Sequence, residues 1–136
     1  MLTNASSKFH SLGLLVIRLG VGISFMVFHG YKKIIGGPEK WEKLGRNMTE
    51  LGIDFAPVFW GFMAAFAEFA GAALLILGLF TRPAAALLAF TMLVAILKHA
   101  GAGEGYSHAL EVGVVFLALV ITGAGKYSLD ARIKMK

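Results

Sequence analysis

The chain has 136 residues, 57% of them hydrophobic and only 15% charged, with a mean hydropathy of +0.74. Soluble domains run at roughly 45–50% apolar and about 25% charged, and a chain this small cannot bury the excess, so the composition excludes an ordinary water-soluble fold and points to a bilayer as solvent. The formal charge is +5, but the bases sit at segment ends and in one loop, which suits basic flanks against anionic lipid head groups and excludes a continuous nucleic-acid-binding face. The absence of cysteine excludes disulfides, thiolate metal sites and thiol redox chemistry within the chain.

Four apolar segments are predicted to cross the membrane, over about residues 9–29, 57–80, 83–98 and 108–123. Together they predict one domain over 1–136, all-α, a transmembrane four-helix bundle with a short amphipathic helix in the first loop. The first segment follows a short polar start with Lys8, but it is long, glycine-punctuated and carries Arg18 internally, which argues against a cleavable signal peptide. In the loop after it, Trp41, Leu44, Met48 and Leu51 recur at helical spacing, with Glu39, Glu42, Lys43, Arg46 and Glu50 on other faces. That pattern predicts an amphipathic helix on the membrane surface or capping the bundle. Gly36-Gly37-Pro38 breaks the chain before it and Gly52 follows it.

Pro57 and Pro83 each open a segment, where a missing N–H costs nothing. Only Thr81-Arg82-Pro83 separates the second segment from the third, and a short glycine-rich stretch, 101–105, separates the third from the fourth. Both connections predict adjacent antiparallel helices. The last two segments fall short of the roughly 20 residues a span needs, so tilt or snorkelling of Lys98 must supply the difference. Lys8, Arg82, Lys126, Arg132, Lys134 and Lys136 on one side balance Lys32, Lys33, Lys40, Lys43, Arg46 and Lys98 on the other. The positive-inside rule therefore does not decide the orientation. The acidic first loop and the basic tail favour both termini being cytoplasmic.

Glu68 lies in the middle of the second segment. A carboxylate there costs about 2.5–3.5 kcal/mol unless it faces protein or water with a partner. Gly61, Ala64, Ala65, Gly71, Ala72 and Gly78 surround it at helical spacing, a small-residue face of the kind that lets helices approach closely in lipid. Arg18 is the expected partner, since counting about 1.5 Å per residue places it roughly 9–14 Å deep against roughly 18 Å for Glu68. The pair serves either to fix helix register or to form the polar floor of a ligand site.

A second polar group is expected at the opposite rim, where His29 ends the first helix, Lys98 and His99 end the third, and His108 and Glu111 open the fourth. His108 and Glu111 share a face by their spacing of three. These residues form a candidate pocket mouth between facing helices, with Arg18 and Glu68 beneath. A metal is not expected, because His108-x-x-Glu111 is one reversed half of the paired Glu-x-x-His pattern of di-iron bundles. Neither Ser24 nor Ser107 sits in a nucleophile elbow and no dinucleotide-binding glycine pattern occurs, so no catalytic residue is assigned.

Arg18-Leu-Gly-Val-Gly22, His29-Gly-Tyr-Lys-Lys33, Leu51-Gly-Ile53, Ala67-Glu68-Phe-Ala-Gly71 and Leu77-Gly-Leu-Phe-Thr-Arg-Pro83 follow one another along the chain, then Lys98-His99, Glu111 and Gly123-Ala-Gly-Lys-Tyr-Ser-Leu-Asp130. In that order they resemble the DoxX family of small bacterial membrane proteins. The resemblance implies a four-helix bundle in the bacterial inner membrane and a link to quinone-dependent redox metabolism or oxidative-stress defence. The family link does not itself supply a reaction, and the leading expectation is an accessory or ligand-binding subunit without independent catalysis. A quinone or lipid is the candidate ligand, and a redox protein or, from the small-residue faces, a second copy of the chain is the candidate partner. The competing expectations are a small proton-coupled transporter with Glu68 as the titrating group, and a structural anchor that recruits a soluble redox enzyme through the first loop.

Overall fold

The computed structural model describes residues 4–134; Lys136, counted above in the basic tail, lies outside them. Helices and their connections make up the described residues, with no strand among them. Helix α1 (Asn4–Phe25) runs through a wider π-helical turn, Met26–Gly30, into α2 (Tyr31–Ile34). The result is a 30-residue apolar rod, Ala5–Ile34. The expected end near His29 is therefore too early. No proline or glycine pair interrupts the chain before Gly36-Gly37-Pro38, and Lys32 and Lys33 lie in the last turn, where cations meet the negative end of the helix dipole. At about 1.5 Å per residue the rod is near 45 Å long, more than the roughly 30 Å hydrocarbon core, so it tilts or projects beyond the bilayer.

Helix α3 (Gly37–Gly45) and the 3-10 turn Arg46–Leu51 form the expected amphipathic element. Its attachment is firmer than a surface helix requires. Gly45 packs on the Pro57 carbonyl and Gly61 on the backbone of Trp41, so a Cβ at either position would overlap main-chain atoms. Because backbone cannot step aside as a side chain can, Gly61→Ala is expected to destabilise the protein by about 1–3 kcal/mol or more. Gly13→Ala is the control, since nothing lies within 4 Å of a Cβ built there. Thermal unfolding in detergent should separate the two; equal midpoints would show that α3 can be lifted without cost.

Helices α4 (Pro57–Leu77) and α5 (Thr81–Gly101) are each 21 residues and apolar enough to cross a membrane, as is the rod that precedes them. Gly78 ends α4 at φ +67°, with the Gly78 N–H on Leu75 O and the Leu79 N–H on Leu74 O. This is a Schellman closure, which needs glycine at the left-handed position. Helix α6 (Ser107–Thr122) is shorter, at 16 residues, and α7 (Leu129–Lys134) follows a loop. The expected antiparallel neighbours are present, α4 beside α5 and α5 beside α6. Phe25, Ala72, Leu75, Ala85, Leu88, Phe116 and Leu119 form the core. Phe9, Val16, Ile23, Phe66, Phe90, Val114 and Ile121 stay exposed, an outer apolar surface too extensive for a monomer in water.

Candidate functional site

Glu68 is buried on α4 with 3% of its surface exposed, and its partner is Lys33. The Lys33 ammonium donates to Oε1 at 2.8 Å and lies 2.7 Å from Oε2, so both carboxylate oxygens face the one cation. The rod reaches this far because its backbone comes up against α4 at Gly30, where an added Cβ would stand 2.8 Å from Phe69 Cα. The π turn adds an extra residue to its loop and so sets the face on which Lys33 emerges. Trp41 of α3 donates its indole N–H to the Lys33 carbonyl at 3.0 Å, tying the same residue from the other side.

The expected Arg18–Glu68 pair does not form. Arg18, 1% exposed, is taken up by carbonyls instead. Its guanidinium donates to Leu75 O at 2.9 Å and Ile76 O at 3.2 Å in the last turn of α4, and to Ala124 O at 2.9 Å and Tyr127 O at 2.8 Å in the loop after α6. A helix C-terminus presents carbonyls that lack intrahelical donors and carries the negative end of the dipole. Two of the four acceptors are of this kind and two are loop carbonyls, and together they answer the cation without a carboxylate.

The opposite rim is only partly assembled. His29 and His108 stack with ring centroids 5.5 Å apart, and Phe25 stacks on His29 at 4.8 Å. His99 turns away and pairs with Glu104, Nδ1 to Oε2 at 2.7 Å. Glu111 is exposed and Lys98 half-buried, and neither makes an ion pair among the described residues. No group of three or more His, Asp and Glu side chains among the described residues is placed to hold a metal ion.

A cavity of about 310 Å³ lies between α4 and α5 under the 3-10 turn that follows α3. Lys33 and Glu68 give its lining a charged pair and Trp60, about two turns earlier on α4, an indole, while Met48, Phe66, Leu87, Phe90 and Val94 supply apolar wall. The Trp60 indole N–H is buried without an acceptor. Phe66, Leu87 and Phe90 both line the cavity and are about half exposed on the outer surface, so they frame a mouth toward lipid. Lys33 and Trp60 were not among the residues expected here. The uninterrupted helical stretch to Ile34 was the available signal for Lys33, whereas nothing in the sequence distinguishes Trp60 from an interfacial belt residue.

The DoxX family model matches residues 13–101, which hold Arg18, Lys33 and Glu68. Inner membrane protein YqjF of Escherichia coli (strain K12) is 32% identical over 135 residues, covering 95% of this chain and 98% of that protein. Inner membrane protein YphA of the same organism is 32% identical over 130 residues, covering 88% of this chain and 89% of that protein. No solved structure matches significantly. With three helices long and apolar enough to cross a bilayer and two full-length relatives of this kind, the chain is a multi-pass inner-membrane protein and belongs to the DoxX family.

Proposed function

We propose that this protein binds a small amphipathic molecule with a quinone-like head in the cavity between α4 and α5, and that it serves as an accessory subunit of membrane redox metabolism without catalysis of its own. In this reading α6 is the fourth crossing, completing a four-helix bundle, and the exposed face of α3 is available to a redox partner. The observation that carries the reading is an apolar cavity that opens toward lipid and has the Lys33–Glu68 pair in its lining. Its volume of about 310 Å³ is in the range of small-molecule sites, which combine apolar walls with a few placed polar groups.

The Glu68 carboxylate also favours one form of the head. A quinone carbonyl offers the carboxylate no donor, whereas a quinol hydroxyl can donate to it. Buried polar groups left without partners cost about 1–3 kcal/mol each, so the reduced form is expected to bind about tenfold more tightly. Thermal unfolding in detergent with decylubiquinol or decylubiquinone tests this. Stabilisation by the quinol should exceed that by the quinone and weaken in Glu68→Gln. No stabilisation by either probe would overturn the ligand reading, and an equal response would overturn the preference.

A further inference from the structure

The segments 77–83 and 123–130 interlock on the side where α1 begins and α6 ends, away from the amphiphile cavity. Asp130 accepts the Phe80 N–H at 2.8 Å and the Thr81 N–H at 3.0 Å, and donates its own N–H to Gly78 O at 2.9 Å. These bonds hold Phe80 at φ +46°, a left-handed conformation uncommon for a bulky residue. Beside this junction lies a second cavity of about 500 Å³, whose lining includes His10, Thr81, Arg82, Lys126 and Lys134.

Its donors are largely uncommitted. Arg82 makes one long bond, to Ile121 O at 3.3 Å, and neither Lys126 nor Lys134 is held in an ion pair among the described residues. Thr81 is 1% exposed, and its hydroxyl lies against Asp130 and favours that carboxylate, so it is not a free donor. The one acidic side chain of the cavity is already answered. Burial opposes the charge on Asp130, but the N–H groups of Thr81 and Phe80 and the nearby Lys134 ammonium outweigh it and hold the carboxyl below its ordinary range. The surrounding face adds Lys8 and Arg132, so basic residues outnumber the single acid.

We propose that this cavity binds a phosphate anion, supplied as the headgroup of an anionic phospholipid. Guanidinium and ammonium donors around one space suit phosphate oxygens. The Leu14 wall and Phe80, whose side chain is 63% exposed at the rim, give an acyl chain apolar contact beside the headgroup, which a free phosphate would not use. The site is independent of the quinone-like ligand and of its cavity.

Native mass spectrometry and thermal unfolding test it with dioleoylphosphatidylglycerol, dioleoylphosphatidylcholine and inorganic phosphate as probes. Wild-type protein should retain phosphatidylglycerol over phosphatidylcholine and be stabilised by it. At about fivefold in affinity per lysine at an anionic surface, Lys126→Gln/Lys134→Gln should lower retention by more than tenfold. Lys40→Gln/Lys43→Gln, which removes the same charge from α3, should leave it unchanged. Stabilisation by inorganic phosphate without lipid retention, lost in the Lys126/Lys134 variant, would support the anion site with a soluble source. Equal losses in the two variants, or no preference for phosphatidylglycerol and no response to phosphate, would overturn it.

Discussion

Arg18→Met should leave little folded protein after detergent extraction, and Arg18→Lys should recover only part of it. The guanidinium satisfies four carbonyls on two separate parts of the chain, the end of α4 and the loop between α6 and α7. Hydrogen bonds from a charged donor contribute about 1.5–3 kcal/mol each in water-soluble proteins, and measured interhelical bonds in membranes average lower, near 0.6 kcal/mol. At either figure the four bonds add up, no other side chain among the described residues makes as many, and methionine would leave several buried carbonyls without donors. Lysine keeps the charge but has three donors on one atom, and it cannot span the two sets of oxygens as a planar fork does. The yield of monodisperse protein and its unfolding midpoint would report the order wild type, then Lys, then Met. A methionine variant as stable as wild type would show that those carbonyls find other partners at no cost.

The same residue shows where sequence reading reaches its limit. Composition and apolar run length locate the spans, because the bilayer demands a length and a chemistry that can be counted. The prolines, the Thr81-Arg82-Pro83 turn and the spacing of Trp41, Leu44 and Met48 likewise locate α3, α4 and α5. Glu68 is recognisable as a buried charge that needs a partner, and burial at 3% agrees. The identity of that partner is not legible, for two physical reasons. Arginine can be satisfied by backbone carbonyls, which every residue carries and no pattern marks. Lysine at position 33 is brought to depth by a helix that continues through a π turn, a local change of register with no residue signature of its own. The rim histidines illustrate the same limit. His29 and His108 meet, but His99, adjacent to Lys98 in sequence, is drawn off by Glu104.

The Lys33–Glu68 pair separates a register device from a ligand floor, and its two halves should not behave alike. Removing one member of a buried pair costs about 3–5 kcal/mol, because the charge left behind has no answer. Here the two survivors differ, since the Lys33 side chain keeps 23% of its surface exposed and the Glu68 side chain only 4%. In Glu68→Gln the lysine can extend its ammonium toward the membrane surface, as long basic side chains do, so the expected loss falls below that range. In Lys33→Met the carboxylate has no such exit, and the loss should reach the full range. The double variant Lys33→Met/Glu68→Gln should recover most of the unfolding midpoint, because neither charge remains to be stranded. Ligand response then decides the role of the pair. If the recovered double variant is no longer stabilised by decylubiquinol, the charges act on the occupant of the cavity. A double variant that regains both stability and ligand response would make the pair a device for helix register alone.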